Sequence, residues 1–261
     1  MTLHVIQGVA VEESGSGPAV VCVHGLGGTS NTWSAMQSAF EGFRWVRVDL
    51  PGCGRSEVDV NNIRVEDMVA CLQKACQHLG ITQAHWIAHS MGTIVCQQLA
   101  LAHPALVKSL VLFGPLISPA DAAKEGLRKR ALGIQQEGLA GMQTVADQLL
   151  VTAVSGHTKA NHPAAYAFVR ESLMRQTPKA YADYCLALAN VQAASVEQIQ
   201  APSLLVTGDE DKVAAPDAVR AMSRRMHQSR CVVLNRCGHW TPIEKPHECV
   251  RETREFLKRH A

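Results

Sequence analysis

The sequence predicts an α/β fold, a mostly parallel twisted sheet with flanking helices and an inserted helical cap. Three observations carry that expectation. Short apolar runs of strand length alternate with segments of helical period along most of the chain. The alternation stops between residues 117 and 198, where Ala-, Leu- and Gln-rich helical segments follow one another without a convincing strand. The chain has 261 residues, 47% of them apolar and 18% charged, the balance of one well-filled core. The expected division is a core made of residues 1–116 and 199–261, with residues 117–198 as the cap.

The strand expectations run in order through residues 3–11 (a hairpin if it turns at Gly8), 19–23, 44–48, 85–89, 110–113, 203–207 and 231–234. Residues 13–18, Glu-Ser-Gly-Ser-Gly-Pro, read as a turn between the early strands. Between the strands, Val65, Met68, Val69, Leu72, Ala75, Cys76 and Leu79 recur at three- and four-residue spacing and make one face of a helix that Gly80 stops. A second helical run follows Ser90 and closes at Pro104.

Charge and composition exclude several function classes. A formal net charge of +2, with Lys and Arg scattered, argues against nucleic acid as a partner. Arg128-Lys129-Arg130 is the densest basic run and reads as a solvated helix face. No secretory signal is readable at the N-terminus and no window is apolar enough to span a bilayer, so no membrane partner and a cytoplasmic location are expected. Nine cysteines without C-x-x-C spacing read as reduced core thiols. His85 and His89 share a strand face, but with no third ligand at suitable spacing they read as core histidines; neither a metal nor another cofactor is expected.

The chemistry gathers at strand ends. Ile87-Ala88-His89-Ser90-Met91-Gly92 is a strand that turns directly into a helix, and the small residues Ala88 and Gly92 flanking Ser90 permit the close approach that lifts the serine above the sheet. Upstream, the buried strand 20–23 runs into His24-Gly25-Leu26-Gly27-Gly28, a loop able to aim backbone N–H groups. Two such donors on a developing oxyanion are worth about 3 kcal/mol or more each. Leu26 and Met91 are the expected donors for that oxyanion hole. A phosphate-cradling reading fails, because the loop has neither G-x-G-x-x-G nor a following Gly-Lys-Ser/Thr. Two later strands end in Asp209-Glu210-Asp211 and in Cys237-Gly238-His239. A serine hydroxyl needs a base to become nucleophilic, and the histidine needs a carboxylate to hold its tautomer. Ser90 and His239 therefore stand as candidate nucleophile and base, with the acid among the three carboxylates.

In these residues the chain resembles the α/β-hydrolase family over nearly its full length, in particular the capped branch with 3-oxoadipate enol-lactone hydrolases and carboxylesterases. The matching motifs are residues 24–28, Asp49-Leu50-Pro51-Gly52-Cys53-Gly54-Arg55-Ser56, residues 88–92, Gly208-Asp209-Glu210-Asp211 with Pro216, and residues 237–239. The resemblance implies a Ser90–His239–Asp211 triad, with the acid three residues after Gly208, and leaves Asp209 and Glu210 as solvated turn carboxylates. A serine nucleophile separates the chain from the family's epoxide hydrolases and dehalogenases, which use an aspartate.

The expected activity is hydrolysis of a small carboxylic ester or lactone through an acyl-enzyme. A carbon–carbon bond hydrolase and a slow small-molecule receptor of the same fold share the motifs and stay open as alternatives. Trp33 and Trp240 are candidate substrate-binding residues. Leu132, Ile134, Leu139, Met142, Phe168, Leu173 and Met174 are candidates for the underside of the cap, and Arg128, Arg130, Arg170 and Arg175 for pairing with a substrate carboxylate.

Overall fold

The structure is a computed structural model and describes residues 1–57 and 61–260. Eight strands form one sheet: β1 (Thr2–Ile6), β2 (Val9–Ser14), β3 (Ala19–Val23), β4 (Arg44–Val48), β5 (Ala84–His89), β6 (Val107–Phe113), β7 (Ser203–Gly208) and β8 (Ser229–Leu234). Their spatial order is β1-β2-β4-β3-β5-β6-β7-β8. β1, β2 and β4 pair antiparallel, and every pair from β4 through β3 to β8 is parallel. The segment at residues 3–11 is indeed a hairpin. Gln7 and Gly8 take positive φ, 51° and 82°, as a two-residue loop matched to strand twist requires, and Ile6 then pairs with Val9.

The central strands are apolar on both faces because both are covered. Val21, Val23, Trp86, Ala88, Leu110 and Leu112 join one core with α1 (Val65–His78) and α2 (Met91–Ala102). Val20, Cys22, Ile87, Val111 and Phe113 join the other, under the 3-10 segment Ser30–Phe40 and the last helix. α1 buries the six leading residues of its predicted stripe, and Gly80 follows at φ 66°, with Ile81 N bonded back to Cys76 O at 2.8 Å.

Between β6 and β7 the chain builds five helices in succession: α3 (Asp121–Glu137), α4 (Leu139–Ala153), α5 (Gly156–Asn161), α6 (Pro163–Met174) and α7 (Pro178–Asn190). α3 packs along α7 and α4, and α4 along α6. α8 (Pro216–Arg225), α9 (Thr241–Glu244) and α10 (Pro246–Arg259) complete the core. Among the described residues no helix is long and apolar enough to cross a membrane. All nine cysteines are free thiols.

Chain order decides where a site can form. After β3 the chain adds β4 on one side and then returns to place β5 on the other, so the loops leaving β3 and β5 diverge. The crevice beyond the carboxyl ends of such a pair is where open α/β sheets bind ligands. Register brings Val23 opposite Ala88, which sets residues 24–28 beside Ser90.

Candidate active site

Ser90 sits on the tight turn from β5 into α2 with φ 51° and ψ −121°, a conformation that costs a side-chain-bearing residue on the order of 1–3 kcal/mol. The turn is over-determined. Ser90 N donates to Phe113 O at 2.8 Å, and Ser90 O accepts from Thr93 N at 2.8 Å and Thr93 Oγ1 at 2.6 Å. A Cβ on Gly92 would lie 2.5 Å from Val23 O, and one on Gly25 would lie 2.8 Å from Ser90 Cβ. Glycine at both places lets three backbone segments converge on the serine.

His239 follows β8 and reaches across the strand ends. Its Nε2 accepts from Ser90 Oγ at 2.8 Å, and its Nδ1 donates to Asp211 Oδ2 at 2.9 Å. That tautomer follows from the partner, since a carboxylate only accepts. Gly114 makes room for the ring, for a Cβ there would lie 2.9 Å from Cε1 and Nδ1. The backbone of His239 is held at both ends: its N–H donates to Ala153 O at 2.8 Å and its carbonyl accepts from His89 Nε2 at 2.9 Å. Burial and the nearby His239 push His89 down to about 3, so it stays neutral.

Asp211 is buried after β7. Oδ1 accepts from Val213 N and Ala214 N, both at 2.8 Å, and Oδ2 takes the His239 bond. Burial alone would raise its pKa, but the His239 charge and hydrogen bond with the two backbone N–H groups hold it at about 2. Asp209 and Glu210 are exposed and turned elsewhere. Asp209 Oδ1 accepts from Cys237 N at 3.0 Å, and Glu210 Oε2 from Gly156 N at 2.8 Å, so they fix loops rather than stand merely solvated.

His24 braces the glycine loop, donating from Nδ1 to Gly25 O at 2.8 Å and accepting Leu50 N at Nε2, 3.0 Å away. Asp49 does likewise, accepting Ser30 N at 2.6 Å and Arg55 Nε at 2.9 Å. Leu26 lies in that braced loop. Met91 opens α2, so its N–H has no partner within the helix and stands at the positive end of the dipole.

Above Ser90 is a cavity of about 380 Å³. Leu26, His89, Ser90, His239 and Trp240 form its floor, and Leu127, Leu149, Tyr181 and Leu188 from α3, α4 and α7 its roof. Trp240 therefore lines it, but Trp33 does not. The Trp33 indole is fully buried on the opposite face of the sheet, with its ring centroid 6.2 Å from Phe113, because the 3-10 segment that carries it crosses to that side. The roof also uses a helix face different from the expected one. α3 presents Ala123, Gly126, Leu127 and Arg130, while Leu132 and Leu139 are exposed at 55% and 69%. Of the four arginines only Arg130 lines the cavity; Arg128 binds Ala189 O, Arg170 pairs with Asp147 and Arg175 with Glu171.

One supporting residue had no legible signal in sequence. Glu244, buried at the end of α9, accepts Gly238 N at 3.1 Å, Trp240 N at 3.2 Å and Ser155 N at 2.8 Å. It ties the His239 loop to the junction of α4 and α5. Only its flanking prolines, Pro242 and Pro246, hinted at a constrained segment.

The chain is similar to several known hydrolases. A pimeloyl-[acyl-carrier protein] methyl ester esterase from Aeromonas hydrophila is 29% identical over 95% of this chain and 99% of its own. A 2-hydroxy-6-oxononadienedioate/2-hydroxy-6-oxononatrienedioate hydrolase from Burkholderia vietnamiensis is 26% identical over 96% of this chain and 91% of its own. Among solved structures, a thermophilic esterase from Thermogutta terrifontis with malate bound superposes with a TM-score of 0.91 at 27% identity, covering 97% of this chain and 93% of that one. The enol-lactonase from Burkholderia xenovorans shares the fold with a TM-score of 0.89 at 22% identity, over 98% and 100% of the two chains. The family model for the alpha/beta hydrolase fold matches residues 18–246, and the chain belongs to that family.

Proposed function

We propose that this protein hydrolyses small carboxylic esters or lactones through an acyl-enzyme formed on Ser90. The observation that carries the reading is the continuous hydrogen-bond line from Ser90 Oγ through His239 to Asp211, on the floor of a mostly apolar cavity. His239 Nε2 takes the serine proton as Oγ attacks the ester carbonyl, and Asp211 stabilises the imidazolium that results. The oxyanion of the tetrahedral intermediate accepts hydrogen bonds from the Leu26 and Met91 N–H groups. His239 then protonates the leaving alcohol. Water, deprotonated by the same histidine, releases the acid and restores Ser90. Protein groups and water supply every proton and charge that this sequence requires. The named esterase relatives, at 29% and 27% identity, support the reaction class.

The test is labelling and turnover together. A fluorophosphonate should modify Ser90 alone, and Ser90→Ala should lose at least ~10⁴-fold in kcat on an aryl ester while its unfolding midpoint stays near wild type. A product burst followed by steady turnover identifies an enzyme; a burst without turnover identifies a receptor. Undiminished hydrolysis in Ser90→Ala would sink the proposal.

A further inference from the structure

The cavity roof holds a cation and a hydroxyl that the hydrolytic steps do not use. Arg130 lies on α3, one turn beyond Gly126 and Leu127, and is half-buried where it meets the cavity. No carboxylate lies within ion-pair distance of it among the described residues, in contrast to Arg170 and Arg175 nearby. Tyr181 faces it from α7. The Tyr181 ring packs on the glycine loop, where a Cβ on Gly27 would lie 3.3 Å from its Cε2. Its hydroxyl is buried and makes no hydrogen bond of good geometry among the described residues. The Arg130 guanidinium lies close enough to hydrogen-bond the phenol oxygen and the Cys185 thiol, yet burial dominates and keeps the phenol a neutral donor.

Two donors of this kind, side by side in an apolar wall and without an anionic partner, fit one ligand chemistry. A carboxylate accepts from the planar guanidinium fork and from the phenol O–H at once, and the low dielectric around it strengthens both bonds. A neutral acyl chain would leave the guanidinium desolvated without a counter-charge. Lys212 also reaches the cavity but is exposed, and a hydrated ammonium at the rim gains little by meeting an anion there.

We propose that Arg130 and the Tyr181 hydroxyl form a subsite for a carboxylate remote from the scissile bond. The preferred substrate is then a half-ester of a short dicarboxylic acid, or a lactone bearing a free carboxylate. The inference rests on the ester-hydrolase reading for its substrate, and on roof geometry alone for its anion.

The experiment compares monoethyl adipate with ethyl hexanoate, which match in acyl length and differ in the terminal carboxylate. The ratio of kcat/KM for the acid over the neutral ester should exceed tenfold in the wild type. It should fall at least tenfold in Arg130→Gln and several-fold in Tyr181→Phe, mainly through KM, and hold in Arg128→Gln. A wild-type ratio at or below one overturns the proposal, as does a ratio that follows Lys212→Gln and ignores Arg130→Gln. Calorimetry of adipate binding to Ser90→Ala separates this idea from the catalytic reading. Binding at least tenfold weaker when Arg130→Gln is added supports the subsite even if no ester turns over. Binding indifferent to Arg130, or absent, overturns the subsite even if esters are hydrolysed well.

Discussion

The floor and the roof of the cavity are built by different physics. On the floor, directional hydrogen bonds hold the Ser90 turn, His239 and Asp211, and glycines at 25, 92 and 114 admit neighbours that a side chain would exclude. The roof is held mainly by apolar packing of α3 against α7 and α4. Individual bonds such as Ser172 Oγ to Gly27 O at 2.7 Å and Tyr184 Oη to Pro51 O at 2.8 Å tie it to the core. A reacting atom must be placed within a fraction of an ångström, which directional bonds achieve; a pocket wall need only have the right shape and polarity. The floor should therefore govern kcat and the roof should govern substrate choice.

The largest expected break in that division is at the acid. Asp211→Asn should lower kcat by about 10⁴-fold, because the amide no longer holds the Nδ1–H tautomer of His239. Asp209→Asn, where the side chain accepts from the Cys237 N–H, should cost less than about tenfold. Steady-state kinetics on one aryl ester decides it, and the reverse ranking would place the acid at Asp209.

Glu244 tests whether the roof contributes to the floor. Glu244→Gln keeps one acceptor oxygen for three backbone N–H groups, so kcat should fall by roughly 10- to 100-fold with KM little changed. The variant should also lose about 1–3 kcal/mol in urea unfolding. A change confined to stability would show that the brace does not reach the histidine.

A smaller effect should follow from the roof alone. Leu127→Ala removes a cavity-lining side chain and should move the acyl-length optimum upward by one to three carbons, with kcat on a short ester within about threefold of wild type. Kinetics along a series of ethyl esters reads the shift. An unmoved optimum accompanied by collapse of kcat would contradict the division.

The least dramatic prediction concerns acid. His85 bonds Ser109 Oγ at 2.7 Å deep in β5, and burial with the nearby Lys108 holds its pKa at about 4, while His89 on the floor is held at about 3. Unfolded, each regains an ordinary histidine pKa near 6.5. Between 6.5 and the folded values the unfolded chain binds protons that the folded chain refuses, so stability should fall as pH drops through this window. Urea unfolding at pH 7, 6, 5 and 4.5 measures the slope. In His85→Gln it should be shallower by up to one proton, and an identical slope would refute the assignment.

Much of the floor was legible because it is written locally. Each strand of the parallel part of the sheet is an apolar run whose burial on both faces leaves little ambiguity, and all eight strands overlap the seven predicted segments by at least half of their length. The residues of the candidate triad each stand at the end of such a run, where a strand must stop and a loop must begin. Backbone logic also marked the glycines.

What failed needed information no local window holds. Trp33 lies five residues past the glycine loop, yet the 3-10 segment carries it to the opposite face, and sequence proximity says nothing of which side a crossover takes. Leu132 on α3 and Leu139 at the start of α4 are apolar residues in helical segments, but whether such a residue faces cavity, neighbour or solvent depends on how α3 lies against α7 and α4. The expected boundaries of the inserted segment, residues 117 and 198, were read from a lapse in pattern rather than from packing. By itself the sequence determined the strands, the sharp turn at Ser90 and the identities of the residues that end each strand, because short-range sterics and burial dictate them. Only the tertiary structure decided that Ser90 and His239, 149 residues apart, meet at 2.8 Å, that Glu244 braces the loop between them and the roof, and that Arg130 and Tyr181 face one cavity, because those distances are set by how the layers pack and not by any neighbour in the chain.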